Sequence, residues 1–159
     1  MMKKVLLLIG GMSLLVSCSD YVNKNAIKGA DPYDMIMSLE KEGFTKLIMN
    51  TDIGTSIQMS NDIGGLKQRY STFSIDNKSV ESVSVSIQVD GVTKYVDAGK
   101  SFIQFSATMP YDAMNQEAVS KWVDKNYNND KKDTIIGDAK FIILAPSKLV
   151  RMLTIEKIK

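Results

Sequence analysis

The sequence predicts an α+β domain, an antiparallel β-sheet with two or three helices packed on one face. Three observations carry this. Residues 82–89, Ser-Val-Ser-Val-Ser-Ile-Gln-Val, alternate strictly between apolar and polar side chains, as a strand does when one sheet face is buried and the other is wet. Two segments, near 32–42 and 115–125, carry apolar residues at helical spacing. The order is helix, strands, one or two helices, then strands, and so few helices cover only one face of such a sheet.

The elements follow in order. Asp31 fits an N-cap, Pro32 the first helical position and Asp34 the positive end of the helix dipole. Met35, Ile36 and Leu39 share a face, and Gly43 suits a left-handed C-terminal position that folds Phe44 back on Leu39. Lys46–Met49 and Ser56–Met59 read as short strands flanking a turn at Asp52-Ile53-Gly54. Asp62-Ile63-Gly64-Gly65 is a second turn, residues 69–75 a third strand and Asp76-Asn77-Lys78 another turn. After Val89, Asp90-Gly91 predicts a tight hairpin returning through Val92–Val96. Residues 97–109 fit both periods: Ile103, Phe105, Ala107 and Met109 alternate, while Phe102, Ile103, Ser106 and Met109 share a helical face. The helix is preferred because Asp97 would cap it, and Pro110 ends either element. The helix at Asn115–Lys125 buries Ala118, Val119, Trp122 and Val123. A polar loop at Asn126–Asp133 follows, then strands near 134–136, 139–145 and 149–156 with a turn at Pro146-Ser147-Lys148. Residues 140–145 are apolar on both sides, which predicts a central strand.

The N-terminus has a different character. Met1-Met2-Lys3-Lys4 is a short cationic start, Val5 to Val16 is uncharged and mostly apolar, and the run ends in Leu15-Val16-Ser17-Cys18. The run suits a signal-peptide core of about 7–15 residues and is shorter than the ~20 residues that span a bilayer as a helix. These residues resemble the lipobox of bacterial lipoproteins. The resemblance implies cleavage between Ser17 and Cys18, a diacylglycerol thioether on Cys18 and acylation of the new amine. The alternative is an ordinary signal peptide with an incidental cysteine, or a membrane-anchoring helix. Cys18 is the only cysteine, so an exported chain has no internal disulfide partner for it, and lipidation gives the thiol a role. Two or three acyl chains anchor firmly where one is marginal. The expected organisation is residues 1–17 as signal, 18–30 as a lipidated tether and 31–159 as one domain. Ser19 after Cys18 favours the outer membrane in a Gram-negative host.

Removing residues 1–17, which hold Lys3, Lys4 and no acidic residue, takes 20 basic residues to 18 against 18 acidic ones, a net charge of zero. There is no basic excess to neutralise phosphates, so no nucleic-acid partner is expected. The chain has no histidine, which excludes nucleophiles activated by histidine and the usual histidine/cysteine zinc sites. No cofactor and no catalytic residue is expected. Part of the last third, Phe102 to Asp112 with Lys121-Trp122-Val123 and Gly137 to Phe141, is loosely similar to small exported bacterial proteins of unassigned function, which implies no activity. The layout also resembles small helix-plus-sheet envelope domains that bind other proteins.

Few residues suggest a site. Asp112, Glu117 and Asp124 are the carboxylates a glycan hydrolase would need to converge, but Glu117 and Asp124 lie opposite the apolar stripe of their helix and read as solvated. Asn128 to Asp133 is oxygen-rich, yet Lys131 and Lys132 interrupt it and the central glycine of a calcium loop is missing. Trp122 reads as core. Gly64-Gly65 lacks the lysine and spacing of a phosphate loop. The remaining candidate is the polar face of Ser82, Ser84, Ser86 and Gln88, which could bind a protein or glycan or simply face solvent. The expected partners are therefore a membrane, through Cys18, and an envelope protein or glycan. A purely structural anchoring role is the third reading.

Overall fold

The computed structural model describes residues 23–91 and 94–159, the side chains of residues 94 and 95 excepted. The fold is α+β. Three helices, α1 (Asp34–Lys41), α2 (Lys94–Ala107) and α3 (Gln116–Asn126), pack on one face of a seven-stranded sheet. The strands are β1 (Thr45–Thr51), β2 (Gly54–Ile63), β3 (Leu66–Ser74), β4 (Ser82–Val89), β5 (Lys131–Ile136), β6 (Ala139–Ser147) and β7 (Val150–Lys157). Their order is β1-β2-β3-β4-β7-β6-β5, and every pairing is antiparallel. Two meanders, one of four strands and one of three, are thus joined through the helices, and β7 closes against β4.

The core lies between the helices and the sheet. Val83, Val85, Ile87 and Val89 of β4, Phe141 and Ile143 of β6, and Leu153 and Ile155 of β7 are buried there with Leu39, Phe102, Ile103, Val119 and Val123 of the helices. Trp122 is half-buried and meets Phe141 edge-on, with ring centroids 6.2 Å apart.

Several local signals act as predicted. Gly43 has φ +83°, and the amides of Gly43 and Phe44 donate to the carbonyls of Glu40 and Leu39, a Schellman ending for α1. Asn115, expected as the first residue of the helix, instead caps α3 by accepting from the Ala118 amide at 2.9 Å. Residues 97–109 are helical down to Ala107.

Other expectations are corrected. Asp31 is not the helix cap. Its carboxylate accepts from the Tyr33 amide at 2.7 Å in a turn ahead of α1, which begins at Asp34 with Tyr33 in the cap position. No hairpin follows Asp90-Gly91. Residue 94 already starts α2, so the predicted return strand Val92–Val96 is overturned, its first two residues lying outside the described ones. Asp97 sits inside the first turn of α2 rather than capping it. The partner β4 needs comes instead from β7, some sixty residues further on. Lys131–Asp133 belong to β5 rather than to a loop, and the β6–β7 turn falls at Lys148-Leu149 after a register shift between Leu144 and Ser147. β6 is not central but second from the edge, and Ile142 and Leu144 are only half-buried because they lie on the face the helices leave uncovered.

Residues 26–30, expected as part of a tether, pack against the domain. Ala26, Ile27 and Ala30 are buried. The Ile27 amide donates to the Val80 carbonyl at 2.7 Å, and the Asp112 amide donates to the Lys28 carbonyl at 2.8 Å. Gly29, at φ +77°, lies so close to Asp112 that a Cβ would sit 2.2 Å from its Oδ1.

Candidate functional site

The alternation in β4 sends Ser82, Ser84, Ser86 and Gln88 to the sheet face that the helices leave uncovered. Strand register then assembles a surface around them. Ser71 of β3, Ser84 and Thr154 of β7 lie side by side, with Gln58 of β2 beyond Ser71 and Ile142 of β6 beyond Thr154. Ser86 lies between Arg69 and Met152, Ser82 between Phe73 and Glu156, and Gln88 between Lys67 and Val150. Small hydroxyl side chains thus occupy the middle of the face, and larger apolar ones flank it. Leu47 and Met49 stand on the β1 side, and Met152, Leu144, Ile142 and Ile135 on the other. A shallow hollow of about 330 Å³ opens among Leu47, Gln58, Ser60, Arg69 and Ser71.

Charges sit at the ends of the face. Arg69 Nη1 lies 2.5 Å from Asp62 Oδ1. That hydrogen bond holds the Asp62 carboxyl below its usual range. Lys140 Nζ lies 3.6 Å from Asp133 and 3.9 Å from Glu156. The hydroxyls between can donate or accept. The neighbour of Ser86 is a guanidinium, which takes no proton, whereas the Glu156 carboxylate lies across from Ser82. The arrangement suits hydrogen-bonded recognition.

Ser17 and Cys18 lie outside the described residues. The three carboxylates singled out in the sequence are not brought together. Asp112 pairs with Lys28 at 3.4 Å, Glu117 with Lys121 at 2.5 Å and Asp124 with Lys100 at 2.5 Å, and all three acids are exposed. Asn128 accepts from Arg151 at 2.8 Å. Among the described residues no three acidic, histidine or cysteine side chains gather as a metal site, and no helix is long and apolar enough to cross a membrane.

Two features escaped the sequence reading. The first is a polar knot beside the chain's entry into the domain. Asn23 donates to Ser79 Oγ and Glu81 Oε1, and the Ile75 amide donates to Glu81 Oε2. Burial raises the Glu81 carboxyl, against the pull of these bonds. Glu81 and Glu156 line one hollow of about 490 Å³ with Lys24 and Lys157, but both Glu81 oxygens are already engaged as acceptors. The turn residues Asp76 to Ser79 were its only local signal. The second is an apolar groove of about 640 Å³ between the end of α1, α2 and the β2–β3 turn, lined by Leu39, Phe44, Ile63, Phe102 and Phe105. Its residues are scattered through the chain, and no spacing announces it. Comparison with protein-family models, with curated proteins and with solved structures yields no match.

Proposed function

We propose that the protein is a lipid-anchored bacterial envelope protein without enzymatic activity. In this reading Cys18 carries the lipid after cleavage behind Ser17, and the domain engages an envelope protein or glycan through the uncovered sheet face. The observation that supports the binding reading best is the composition of that face. Ser82, Ser84 and Ser86 lie among Ser71 and Thr154, with Leu47 on one side and Met152, Leu144 and Ile142 on the other. Solvent alone asks for no such order. A row of hydroxyls flanked by apolar side chains offers directional hydrogen bonds and area to desolvate. The anchor reading rests on Leu15-Val16-Ser17-Cys18 and the cationic and apolar segments before it.

Two measurements test it. Cells fed an alkyne fatty acid are expected to label the wild-type protein and not Cys18→Ser. An unlabelled wild type, or a Cys18→Ser protein that fractionates with membranes as before, rejects the anchor. For the face, Ser84→Glu with Ser86→Glu keeps the fold, since Ser84 is exposed, Ser86 only half-buried, and Arg69 opposite position 86 accepts an acid. The variant is expected to lose the envelope proteins or glycan strands that cross-link to the wild type in membranes. Undiminished cross-linking rejects this face as the binding surface.

A further inference from the structure

The two edges of the sheet are treated differently. β5 opens with Lys131, Lys132 and Asp133, charges that discourage another strand from pairing with it. β1 is longer, all seven of its residues are exposed, and its middle is Leu47-Ile48-Met49, which are 55%, 47% and 37% exposed. Among the described residues nothing pairs with its outer edge, so every second residue turns an N–H and a C=O outward. Its one charge, Lys46, is paired with Glu40 of α1 at 2.5 Å, and an open edge with an apolar middle is a template for a further strand.

The order of residues in β1 points to which strand. In antiparallel pairing of two copies around a two-fold axis at Ile48, Thr45 meets Thr51, Lys46 meets Asn50, Leu47 meets Met49 and Ile48 meets itself. Apolar faces apolar at every such position, polar faces polar, and the lysines stay apart. A two-fold axis perpendicular to a continuous sheet must pass beside a residue. Moving it to Leu47 sets Ile48 against Lys46, and moving it to Met49 sets Ile48 against Asn50 and Leu47 against Thr51. Only the axis at Ile48 matches throughout. We infer that β1 pairs with β1 of a second copy of this chain in that register, forming one continuous sheet in a closed dimer. The pairing is isologous and the β5 edges are charged, so assembly stops at two. Both uncovered faces then lie on the same side. This inference is independent of the lipid anchor and of any partner on that face.

Sedimentation equilibrium of the purified full-length protein, in density-matched detergent, tests it. The wild type is expected to dimerise with rising concentration. Ile48→Lys and Ile48→Glu place like charges face to face at the axis and each are expected to raise the dissociation constant more than about tenfold, with unchanged circular dichroism. Mixing the two variants is expected to restore the dimer. Separately, Leu47→Cys mixed with Met49→Cys is expected to form an interchain disulfide, while Leu47→Cys alone is not, because its sulfurs lie off register. A wild type that stays monomeric, single-charge variants that dimerise like it, a mixture that stays monomeric, or a Leu47→Cys homodimer as abundant as the mixed one would overturn the inference.

Discussion

Arg151 of β7 holds the end of α3 to the sheet through Tyr127: its Nε donates to the Tyr127 carbonyl at 2.9 Å, and its guanidinium carbon sits 5.3 Å from the ring centre. Its other nitrogens donate to Asn128 Oδ1 and the Ser147 carbonyl at 2.8 and 2.7 Å. One planar cation thus satisfies a helix end, a loop and a strand end together, and favours the negative end of the helix dipole. A lysine ammonium has neither the fork nor the flat face. Arg151→Lys is therefore expected to cost about 1–2 kcal/mol. The check is the urea midpoint, and an unmoved midpoint would show the contacts to be incidental.

Ile27 gives a second prediction. It is 1% exposed and bridges to Val80, although its surroundings in the sequence look like tether. Ile27→Ala is expected to cost about 2–4 kcal/mol. A true tether residue would cost nothing, so a thermal melt separates the two descriptions directly.

The same residue shows where the sequence is legible. β4 and the Gly43 ending of α1 were readable because their signals are local: a period of two, and a glycine one step past the last helical turn. The polar set Ser82, Ser84, Ser86 and Gln88 was placed on one face for the same reason. Ile27 was not, since a lone isoleucine among polar residues has no period, and only its fit against Val80 and the Gly29–Asp112 contact defines its role. Asp90-Gly91 misled because β4 finds its second neighbour in distant β7, and tertiary pairing outweighs a turn signal. Lys131-Lys132-Asp133 looked like loop because the charges that guard an edge strand are those that mark loops.

Gly137 stands in the turn between β5 and β6 at φ +59°, and a Cβ there would lie 2.3 Å from the Ala113 carbonyl oxygen. Gly91 has φ +72°, but among the described residues nothing lies within 4 Å of a Cβ there. Alanine at Gly91 is expected to cost only the left-handed strain, about 1 kcal/mol. Alanine at Gly137 carries that strain and a backbone clash, so it is expected to cost more than about 2 kcal/mol. Equal melting shifts for the two variants would contradict the contact.

Two tyrosines offer a matched pair. Tyr111 donates to the Ile136 carbonyl at 2.7 Å, and burial pushes its hydroxyl up to about 12. The Tyr70 hydroxyl is more deeply buried, is pushed up further by burial, and has no hydrogen-bond partner among the described residues. Tyr111→Phe strips the Ile136 carbonyl of its donor and is expected to destabilise by about 1 kcal/mol. Tyr70→Phe removes a desolvated hydroxyl and is expected to be neutral or stabilising. Urea unfolding of both variants checks the contrast, and a larger loss at position 70 would reverse it.

The last prediction concerns acid. Burial raises the Asp76 carboxyl, but the amides of Lys78 and Ser79 and the hydroxyls of Ser79 and Ser74 donate to it and outweigh that, holding it at about 2 against an ordinary 3.8. The folded pKa lies below the unfolded one. The unfolded chain therefore binds more protons between the two values, and stability rises with pH there. The contribution is full above pH 3.8 and is lost as pH falls towards 2. Asp76 is partly solvated, so screening keeps the gain to about 1 kcal/mol. Because this turn leads to Val80, the partner of Ile27, its loss loosens the entry of the chain as well. Asp76→Asn keeps the shape and removes the titration. Its stability, measured by urea unfolding from pH 5 to pH 2, is expected to fall less steeply than the wild type's below pH 4, while the two differ by a constant amount above pH 5. Parallel curves over the whole range would assign the acid sensitivity to other carboxylates.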